Sequence, residues 1–390
     1  MKRIALVGSI YRYLSHVQHM ADRFLIGYPL QGTWHRPDMK IVSLYIDQKP
    51  KGDQSEERAK EFGFQVYPTI AEALRCGGDK LAVDAVLIIA EHGDYPRNEK
   101  GQVLYPRYEF FKQCTEVFEK DGRSVPVYND KHLSWSFEKA KWMVDEAKRL
   151  KFPLLAGSSL PVTWRLPNIE LPYGCQIDEA LMVGVGGSDP MDYHALEAMQ
   201  CMIERRKGGE TGVRAVQYIQ GDAVWKAGEE GRWPKDLLVS ALSRSDTPKG
   251  LTLQDGRPQD LVGTGELQKI AKKPAAYFIE HNDGLKTTLL MLDGALQDFN
   301  FAARVRGLGV QSCQFFLTPV PNVTYSACLV SKIEEMYATG RAPYPAERTL
   351  IVSGMLESCL TSKVQQSQRL ETPQLSVRYM APKKSHHAQA

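Results

Sequence analysis

Short apolar runs alternate with amphipathic segments along residues 1–162 of the chain. Six runs have the composition of strands, and a stretch with helical spacing follows each of the first five. The six runs are IALVG, MKIVSLYIDQ, FQVYPTI, AVDAVLIIAE, VPVYNDKH and FPLLAGSSLP. The fourth run is apolar nearly throughout, which is typical of a parallel strand buried on both faces. This alternation predicts a Rossmann-type, doubly wound parallel sheet.

The sequence changes in character after residue 162. Segments in which apolar and polar residues alternate over greater lengths replace the short runs, as in RAVQYIQGDAVW, AAYFIEHND, LKTTLLMLDG and QSCQFFLTP. Such alternation is typical of antiparallel strands. Near the C-terminus, ERTLIVSGMLESCL predicts a helix that covers this second sheet. We therefore expect a Rossmann-like nucleotide-binding domain at 1–162 and an α+β substrate and oligomerisation domain, with a mainly antiparallel sheet, at 163–390.

The charge balance excludes several classes of partner. Forty-nine lysines and arginines against forty-six acids give a net charge of +3, spread along the chain, so neither a nucleic-acid-binding arm nor a polybasic membrane patch is expected. No apolar run approaches the roughly 20 residues of a membrane-spanning helix. Seven scattered cysteines without a C-x-x-C pair argue against a disulfide framework and a thiolate zinc site. The expected partner is a small molecule, and the expected compartment is the cytoplasm.

Polar residues collect where the predicted strands of the first domain end. In open α/β sheets, ligands bind outside the carboxyl ends of the strands, where loops and helix N-termini converge. His92 is expected there as an acid–base group or a substrate hydrogen-bond partner, with Asp94 orienting it. The strand ends carry Gly8 and Ser9, Asp47, Glu91 to Asp94, Asn129 to His132, and Gly157 to Ser159.

The segment VPVYNDKHLS, followed by a long helix and a further strand, resembles a motif of the glucose-fructose oxidoreductase / inositol dehydrogenase / MocA (Gfo/Idh/MocA) family. In that family the fifth strand ends in Glu-Lys-Pro, and the lysine lies beside the nicotinamide and the substrate. Asp130, Lys131 and His132 stand at the matching places here. SEERAKEFGFQVYPTIAEAL is similar to the family's second helix and the small strand and helix after it. In the second domain, Asp192 and His194 match the helix that the family places against its substrate.

The resemblance implies an NAD- or NADP-dependent oxidoreductase that acts on a sugar, polyol or sugar acid and forms a homo-oligomer. Hydride transfer is either the net reaction or a transient oxidation that prepares elimination or hydrolysis. Trp164 is expected to stack on a sugar face and Arg165 to hold an anionic group, with hinge packing as the alternative for Trp164. The predicted site residues are catalytic Lys131, His194 and His92; substrate-binding Asp192, Asp94, Trp164 and Arg165; and cofactor-binding Gly8, Ser9, Ile10, Arg12, Asp47, Glu91 and Asp130.

The phosphate-binding loop departs from the dinucleotide fingerprint G-x-G-x-x-G. Only its first glycine, Gly8, is kept, and the loop continues Ser-Ile-Tyr-Arg-Tyr. Ser9 and Arg12 are expected to bind phosphate oxygens, whereas Ile10 and Tyr13 are expected to crowd the usual path. Asp47 ends the second long strand, where an acid accepts hydrogen bonds from an adenosine ribose.

Other interpretations of the same residues stay open. Lys131 is equally a surface lysine at a strand end, and Asp192 is equally an N-cap with an incidental histidine nearby. An alternative function is a divalent-metal-dependent lyase or isomerase without nicotinamide, and a third interpretation is a binding protein without catalysis. The metal alternative draws its ligands from His92, Asp94, Asp130, His132, Asp192 and His194.

Overall fold

The computed structural model describes residues 1–187, 189–250 and 260–389. The chain divides into two compact units. The first unit contains 1–97, 103–162 and 318–350, and the second contains 98–102, 163–317 and 351–390. One boundary between the units falls after residue 162, and 318–350 lies in the first unit. The assignment of 1–162 to nucleotide binding and of 163–390 to substrate binding and oligomerisation stays a prediction.

The first unit is built around a six-stranded sheet in the order β5-β4-β1-β6-β7-β8. Each neighbouring pair in this sheet is parallel, so the predicted doubly wound parallel sheet is confirmed. The elements are β1 Lys2–Gly8, α1 His16–Ile26, β2 Tyr28–Leu30, β3 Thr33–His35, β4 Met39–Ile46, α2 Ser55–Phe62, β5 Gln65–Tyr67, α3 Ile70–Arg75, β6 Ala85–Ile89, α4 Arg107–Asp121, β7 Val127–Asp130, α5 Phe137–Arg149 and β8 Leu154–Gly157.

Local chemistry explains where these elements begin and end. All five residues of β6 are buried, as its apolar composition predicts for a central strand. The hydroxyls of Ser15, Thr69 and Ser136 cap α1, α3 and α5 by accepting a hydrogen bond from a first-turn amide. Gly63 and Gly122 end α2 and α4 in the left-handed conformation. One feature was not predicted: β2 and β3 form a small antiparallel hairpin within the connection that leads to β4.

A helix from late in the chain returns to the first unit. This helix, α10, spans Tyr325–Thr339. The hydroxyl of Tyr337 donates a hydrogen bond of 2.6 Å to the carbonyl of Val86 in the central strand β6. Arg23 of α1 donates to the carbonyl oxygens of Asn322 and Val323 at 2.8 and 3.0 Å. The apolar face of a helix indicates that another part of the protein covers that face, but it does not indicate which domain does so. The sequence pattern alone therefore does not place this segment.

The second unit contains an eight-stranded sheet in the order β16-β11-β12-β13-β10-β14-β15-β9. The pair β10–β13 is parallel and the others are antiparallel, so the predicted α+β domain with a mainly antiparallel sheet is confirmed. The elements are β9 Trp164–Leu166, β10 Ile177–Gly184, α6 Asp189–Ile203, β11 Val213–Gln220, α7 Asp222–Glu229, α8 Lys235–Leu242, α9 Glu266–Ile270, β12 Ala275–His281, β13 Lys286–Met291, β14 Phe299–Val305, β15 Gly309–Phe316, α11 Glu347–Val364 and β16 Leu370–Glu371.

Helices cover the second sheet through a continuous apolar core. Trp233 and Leu237, next to and within α8, pack with Leu181 of β10 and Leu290 of β13. The predicted C-terminal helix is present as α11, and near its end the hydroxyl of Ser362 accepts a 3.0 Å hydrogen bond from the amide of Tyr218 in β11. Among the helices of the described ranges, none combines the length and the apolar composition needed to cross a membrane.

Candidate active site

The carboxyl ends of β1, β6, β7 and β8 bring polar groups of the first unit together. The hydroxyl of Ser9, after β1, donates a 2.9 Å hydrogen bond to the carbonyl of Glu91, after β6. The amide of Lys131, after β7, donates to the carbonyl of Gly157 at the end of β8 at 3.2 Å. These bonds fasten the strand-end loops to one another, so the side chains that they carry are held in fixed positions.

Glu91 is the centre of a buried ion-pair cluster. Its carboxylate lies 3.8 Å from Nζ of Lys131, and it accepts a hydrogen bond from the guanidinium of Arg107. The side chains of Arg107, Glu91 and Lys131 are only 0%, 3% and 4% exposed. Although burial alone would raise the pKa of Glu91, the charges of Lys131 and Arg107 hold that pKa well below its usual range. The cluster therefore contains a carboxylate that is ionised at neutral pH and lies between two cations.

His132 extends this cluster. Its Nε2 lies 3.3 Å from a terminal nitrogen of Arg107, and burial, together with the charge of Arg107, lowers the pKa of His132 well below its usual value. A neutral His132 therefore accepts a hydrogen bond from Arg107 through Nε2. The place that is a proline in the family's motif holds a buried imidazole here, which gives Arg107 a side-chain partner in addition to Glu91.

A second group forms around Asp130, the last residue of β7. The carboxylate of Asp130 lies 2.7 Å from Nδ1 of His16, the first residue of α1. The ring of His16 meets that of His92 edge-on, with 5.1 Å between centroids, and stacks on that of His19 at 5.9 Å. Burial lowers the pKa of His92 to about 4 and that of His19 to about 3, so both rings are neutral at neutral pH.

Two of the strand-end residues have left-handed backbone. The φ angles of His92 and Lys131 are +70° and +62°, in a region that non-glycine residues rarely occupy. Such conformations cost on the order of 1–3 kcal/mol and cluster at functional sites, where surrounding contacts enforce them. Two such residues, each in the loop after one of two neighbouring strands and each with an ionisable side chain, mark this edge of the sheet as the candidate active site.

The loop after β1 corrects part of the predicted phosphate site. Ile10 and Tyr11 are 1% and 0% exposed, so their side chains belong to the core and do not crowd the surface path as predicted for Ile10. Ser9 is also buried, and its hydroxyl is bound to the carbonyl of Glu91. Tyr13 is 60% exposed, and its crowding of the path stays a prediction. Arg12 remains an exposed cation beside the N-terminus of α1.

The acids of the neighbouring loops are also placed by the structure. Asp47 follows β4 with an exposed carboxylate, whose two oxygens accept hydrogen bonds from the hydroxyls of Tyr45 and Tyr95 at 2.9 and 2.7 Å. The backbone of Asp94 exchanges two hydrogen bonds with the side-chain amide of Gln48. Asp94 is thus fixed through its backbone, and its role in orienting His92 stays a prediction.

The predicted residues of the second unit have mostly internal partners. Asp192, in the first turn of α6, is buried and accepts a hydrogen bond from the hydroxyl of Tyr277. His194 is half-buried, with its ring centroid 6.2 Å from that of Phe299. Arg165 is 2% exposed and lies over the ring of Phe315, so the structure places it in the core and not where it would hold a free anion.

Trp164 lies beside Arg165 in the edge strand β9, where it pairs with Phe316 of β15. Its side chain is half-buried. Its hinge packing and its stacking on a sugar both stay predictions.

The ligand set of the metal alternative is not assembled. Within residues 1–187, 189–250 and 260–389, no three or more histidine, cysteine, aspartate or glutamate side chains are arranged to hold a metal ion. Asp130 is engaged by His16, and His132 by Arg107. The metal-dependent lyase or isomerase is therefore not favoured.

Sequence analysis missed two residues of the site, His16 and Arg107. Each is the first residue of a helix, and each of these helices begins after a loop whose path no periodicity in the sequence predicts. The sequence did offer a signal for Arg107. It stands at the start of the amphipathic segment that forms α4, and in a parallel α/β domain the start of a helix lies near the carboxyl end of a strand. His16 follows a serine N-cap, so its place in the first turn of α1 was readable from sequence.

Comparison with known proteins adds evidence on the fold. No protein-family model and no curated protein matches the chain. Among solved structures, a probable dehydrogenase from Thermotoga maritima superimposes with a TM-score of 0.56 at 11% identity, over 96% of this chain and 99% of its own. A myo-inositol 2-dehydrogenase from Lactobacillus plantarum gives 0.55 at 11% identity, over 95% and 99%.

A third similar structure is the myo-inositol dehydrogenase of Lactobacillus casei in complex with NAD(H) and myo-inositol. It superimposes with a TM-score of 0.54 at 12% identity, over 94% of this chain and 96% of its own. These matches include both sheets, since they extend over nearly the whole of each chain. The chain therefore has the fold of the Gfo/Idh/MocA dehydrogenases.

Proposed function

We propose that the chain is an oxidoreductase that transfers a hydride between a nicotinamide dinucleotide and a hydroxyl-bearing carbon of a sugar, polyol or sugar acid. The observation that carries this proposal is the buried cluster of Lys131, Glu91 and Arg107 at the strand edge of a fold shared with dehydrogenases. Buried ionisable groups at such an edge are typical of catalytic sites. One structure of this fold was determined with NAD(H) and myo-inositol, which supports the choice of cofactor and substrate class.

The residues at the crevice fit a dinucleotide. Among the described residues, Nδ1 of His92 and Oδ1 of Asn129 are buried without a hydrogen-bond partner, as expected of polar groups that a ligand completes. Lys131 and His92 would hold the nicotinamide end, Asp47 would accept the adenosine ribose hydroxyls, and Arg12 would neutralise phosphate charge. When bound, the nicotinamide ring accepts or returns the hydride.

The protein's own groups define what happens to the substrate hydroxyl. The ammonium of Lys131, fixed by Glu91, donates a hydrogen bond to the hydroxyl oxygen of the reacting carbon and stabilises negative charge that develops there. His92, neutral above a pKa of about 4, contributes hydrogen bonds without charge. The catalytic role of His194 and the contribution of Asp192 to substrate binding stay predictions.

The test combines dinucleotide binding with a substrate panel. The purified protein is titrated with NADH and NADPH by nicotinamide fluorescence, and is then assayed on polyols, aldoses and sugar acids, beginning with myo-inositol. Product analysis by NMR separates net oxidation from a transient oxidation that ends in elimination or hydrolysis. Binding of neither dinucleotide, together with no turnover on the panel, overturns the proposal.

A matched pair of lysine variants makes the assignment of the site testable. Lys131→Met should keep dinucleotide binding and lower kcat by about 10²–10⁴. Lys148→Met is the control, since Lys148 is an exposed lysine in the last turn of α5, at the opposite end of that helix, and is ion-paired with Glu347 at 2.7 Å. Equal kcat values for the two variants would remove Lys131 from the site.

A further inference from the structure

The pair formed by His16 and Asp130 joins two elements that are far apart in sequence. Nδ1 of His16 lies 2.7 Å from Oδ2 of Asp130. The side chain of Asp130 is 2% exposed, whereas that of His16 keeps 23% of its surface exposed. A buried carboxylate thus orients an imidazole that a small molecule can reach.

The position of this pair in the sheet is where a ligand is expected. α1 follows β1, Asp130 ends β7, and β6 lies between these two strands in the sheet. The pair therefore spans the end of β6, where the ring of His92 lies 5.1 Å from that of His16. The strand order reverses between β1 and β6, and ligands of open α/β sheets bind in the crevice at that point.

The hydrogen bond fixes which nitrogen of His16 carries a proton. Because Asp130 can only accept while ionised, Nδ1 is the protonated nitrogen of the neutral ring, and Nε2 is left as a proton acceptor. Within the part of the chain that the structure describes, the ring of His16 has one hydrogen-bond partner, Asp130. The other basic groups of the edge are engaged: Lys131 by Glu91, and His132 by Arg107.

We propose that His16 and Asp130 form a proton-transfer dyad, in which Nε2 of His16 takes the hydroxyl proton of the substrate and Asp130 holds the ring in place. The inference rests on the proposed function and names a base that the family motif does not include. In the oxidation, the O–H and C–H bonds of one carbinol break as its C=O π bond forms. The proton goes to Nε2, and the hydride goes to the oxidised nicotinamide dinucleotide. Lys131 keeps its proton and its ion pair throughout.

The surroundings of His16 suit this role. The titratable groups that face it are Asp130 from β7, His92 and Glu91 from the loop after β6, and His19 from its own helix. His92 and His19 are neutral at neutral pH, so they add no positive charge beside the ring. The carboxylates of Asp130 and Glu91 stabilise the imidazolium that forms when His16 accepts the proton.

The first test reads the tautomer directly and needs no substrate. NMR of the full-length protein with ¹⁵N-labelled histidine distinguishes Nδ1–H from Nε2–H rings. We expect His16 as the Nδ1–H tautomer in the neutral state, and a loss of that preference in Asp130→Asn. The matched control is Glu334→Gln, because Glu334 binds Nε2 of His35 at 2.9 Å. That variant should change the signals of His35 and leave those of His16 unchanged. An Nε2–H tautomer of His16, or no effect of Asp130→Asn, overturns the dyad.

The second test reads the pH dependence of turnover on a substrate found with the panel. His16→Gln should lower kcat by about 10²–10⁴, keep NADH binding and lose the acidic limb of the kcat/KM profile. His35→Gln should match the wild type. A kcat and pH profile of His16→Gln equal to those of the wild type overturn the catalytic role. If the wild type turns over no member of the panel, the proposed function fails, and the tautomer measurement still decides whether the dyad exists.

Discussion

Nζ of Lys131 lies 3.8 Å from Oε1 of Glu91, and Arg107 binds the other oxygen of the same carboxylate. All three side chains are buried, so the carboxylate neutralises two cations that have little contact with water. Removing one partner of a buried ion pair costs about 3–5 kcal/mol, because the remaining charge is left without compensation. We expect Glu91→Gln to lower the free energy of unfolding by about this amount, measured by chemical denaturation.

The control for this prediction is a surface pair of the same residue types. Glu109 lies 2.6 Å from Lys139, with the two side chains 45% and 29% exposed, so Glu109→Gln should cost less than about 1 kcal/mol. The double variant Glu91→Gln with Lys131→Met should recover part of the stability lost in Glu91→Gln, because one uncompensated cation is removed. Equal effects of Glu91→Gln and Glu109→Gln would contradict the buried cluster.

Asp47 leads to a prediction on cofactor preference. Its exposed carboxylate at the end of β4 is suited to bind the hydroxyls of an adenosine ribose and repels a 2′-phosphate. We expect NADH to bind more tightly than NADPH, and Asp47→Ser to reduce that preference by on the order of tenfold. Fluorescence titration with both dinucleotides measures the ratio. Glu56→Gln, which removes an exposed acid of α2, should leave the ratio unchanged. A wild type that prefers NADPH would show that Asp47 does not face the ribose.

The sequence predicted the sheets well because burial leaves a periodic pattern. The strand β6 is a run of apolar residues, and it is buried along its whole length. The same pattern indicated that Glu91 and Lys131 follow neighbouring strands, since strand ends of a parallel sheet lie at one edge. The ion pair between them depends on side-chain direction, which the left-handed φ of Lys131 sets and no spacing reveals.

The rest of the site depends on paths that have no sequence period. Arg107 reaches Glu91 from the start of α4, after a loop whose course is set by its own hydrogen bonds. His16 reaches Asp130 from the start of α1, after the loop of residues 9–15. The sequence predicts that Ile10 obstructs the cofactor path in that loop. The residue is buried instead, because turning an apolar side chain into the core lowers the free energy of the folded state.

Gly8 provides a test of packing at the start of the site. A Cβ at this position would lie 2.9 Å from Cγ2 of Val17 and from Cδ1 of Ile46, so α1 and β4 approach too closely for a side chain. We expect Gly8→Ala to lower the free energy of unfolding by about 1–3 kcal/mol, measured by denaturation. Gly78→Ala is the matched control, because its Cβ would meet its nearest atom at an ordinary 3.4 Å. An unchanged free energy of unfolding in Gly8→Ala would mean that the helix can move away from the strand.

Asp192 makes the stability of the second unit depend on pH. Burial raises its pKa to about 6, against the hydrogen bonds donated by Tyr277 and the amide of Gly187, which favour the ionised form. A folded pKa above the unfolded value means that the native state binds the proton more tightly. The stabilisation from this group is therefore complete below about pH 4 and is lost as pH rises through about 6. The full change is about 3 kcal/mol, at 1.36 kcal/mol for each pKa unit.

The variant Asp192→Asn isolates this contribution, because an amide keeps the shape of the carboxyl group and does not ionise. The difference in free energy of unfolding between variant and wild type, measured by urea denaturation at several pH values, should shift in favour of the variant between about pH 4 and 6. Asp178→Asn is the control, since Asp178 is a surface acid paired with Arg306 at 2.8 Å, and its difference should change little over that range. A pH-independent difference for Asp192→Asn would show that Asp192 is ionised throughout, with Tyr277 and Gly187 offsetting its burial.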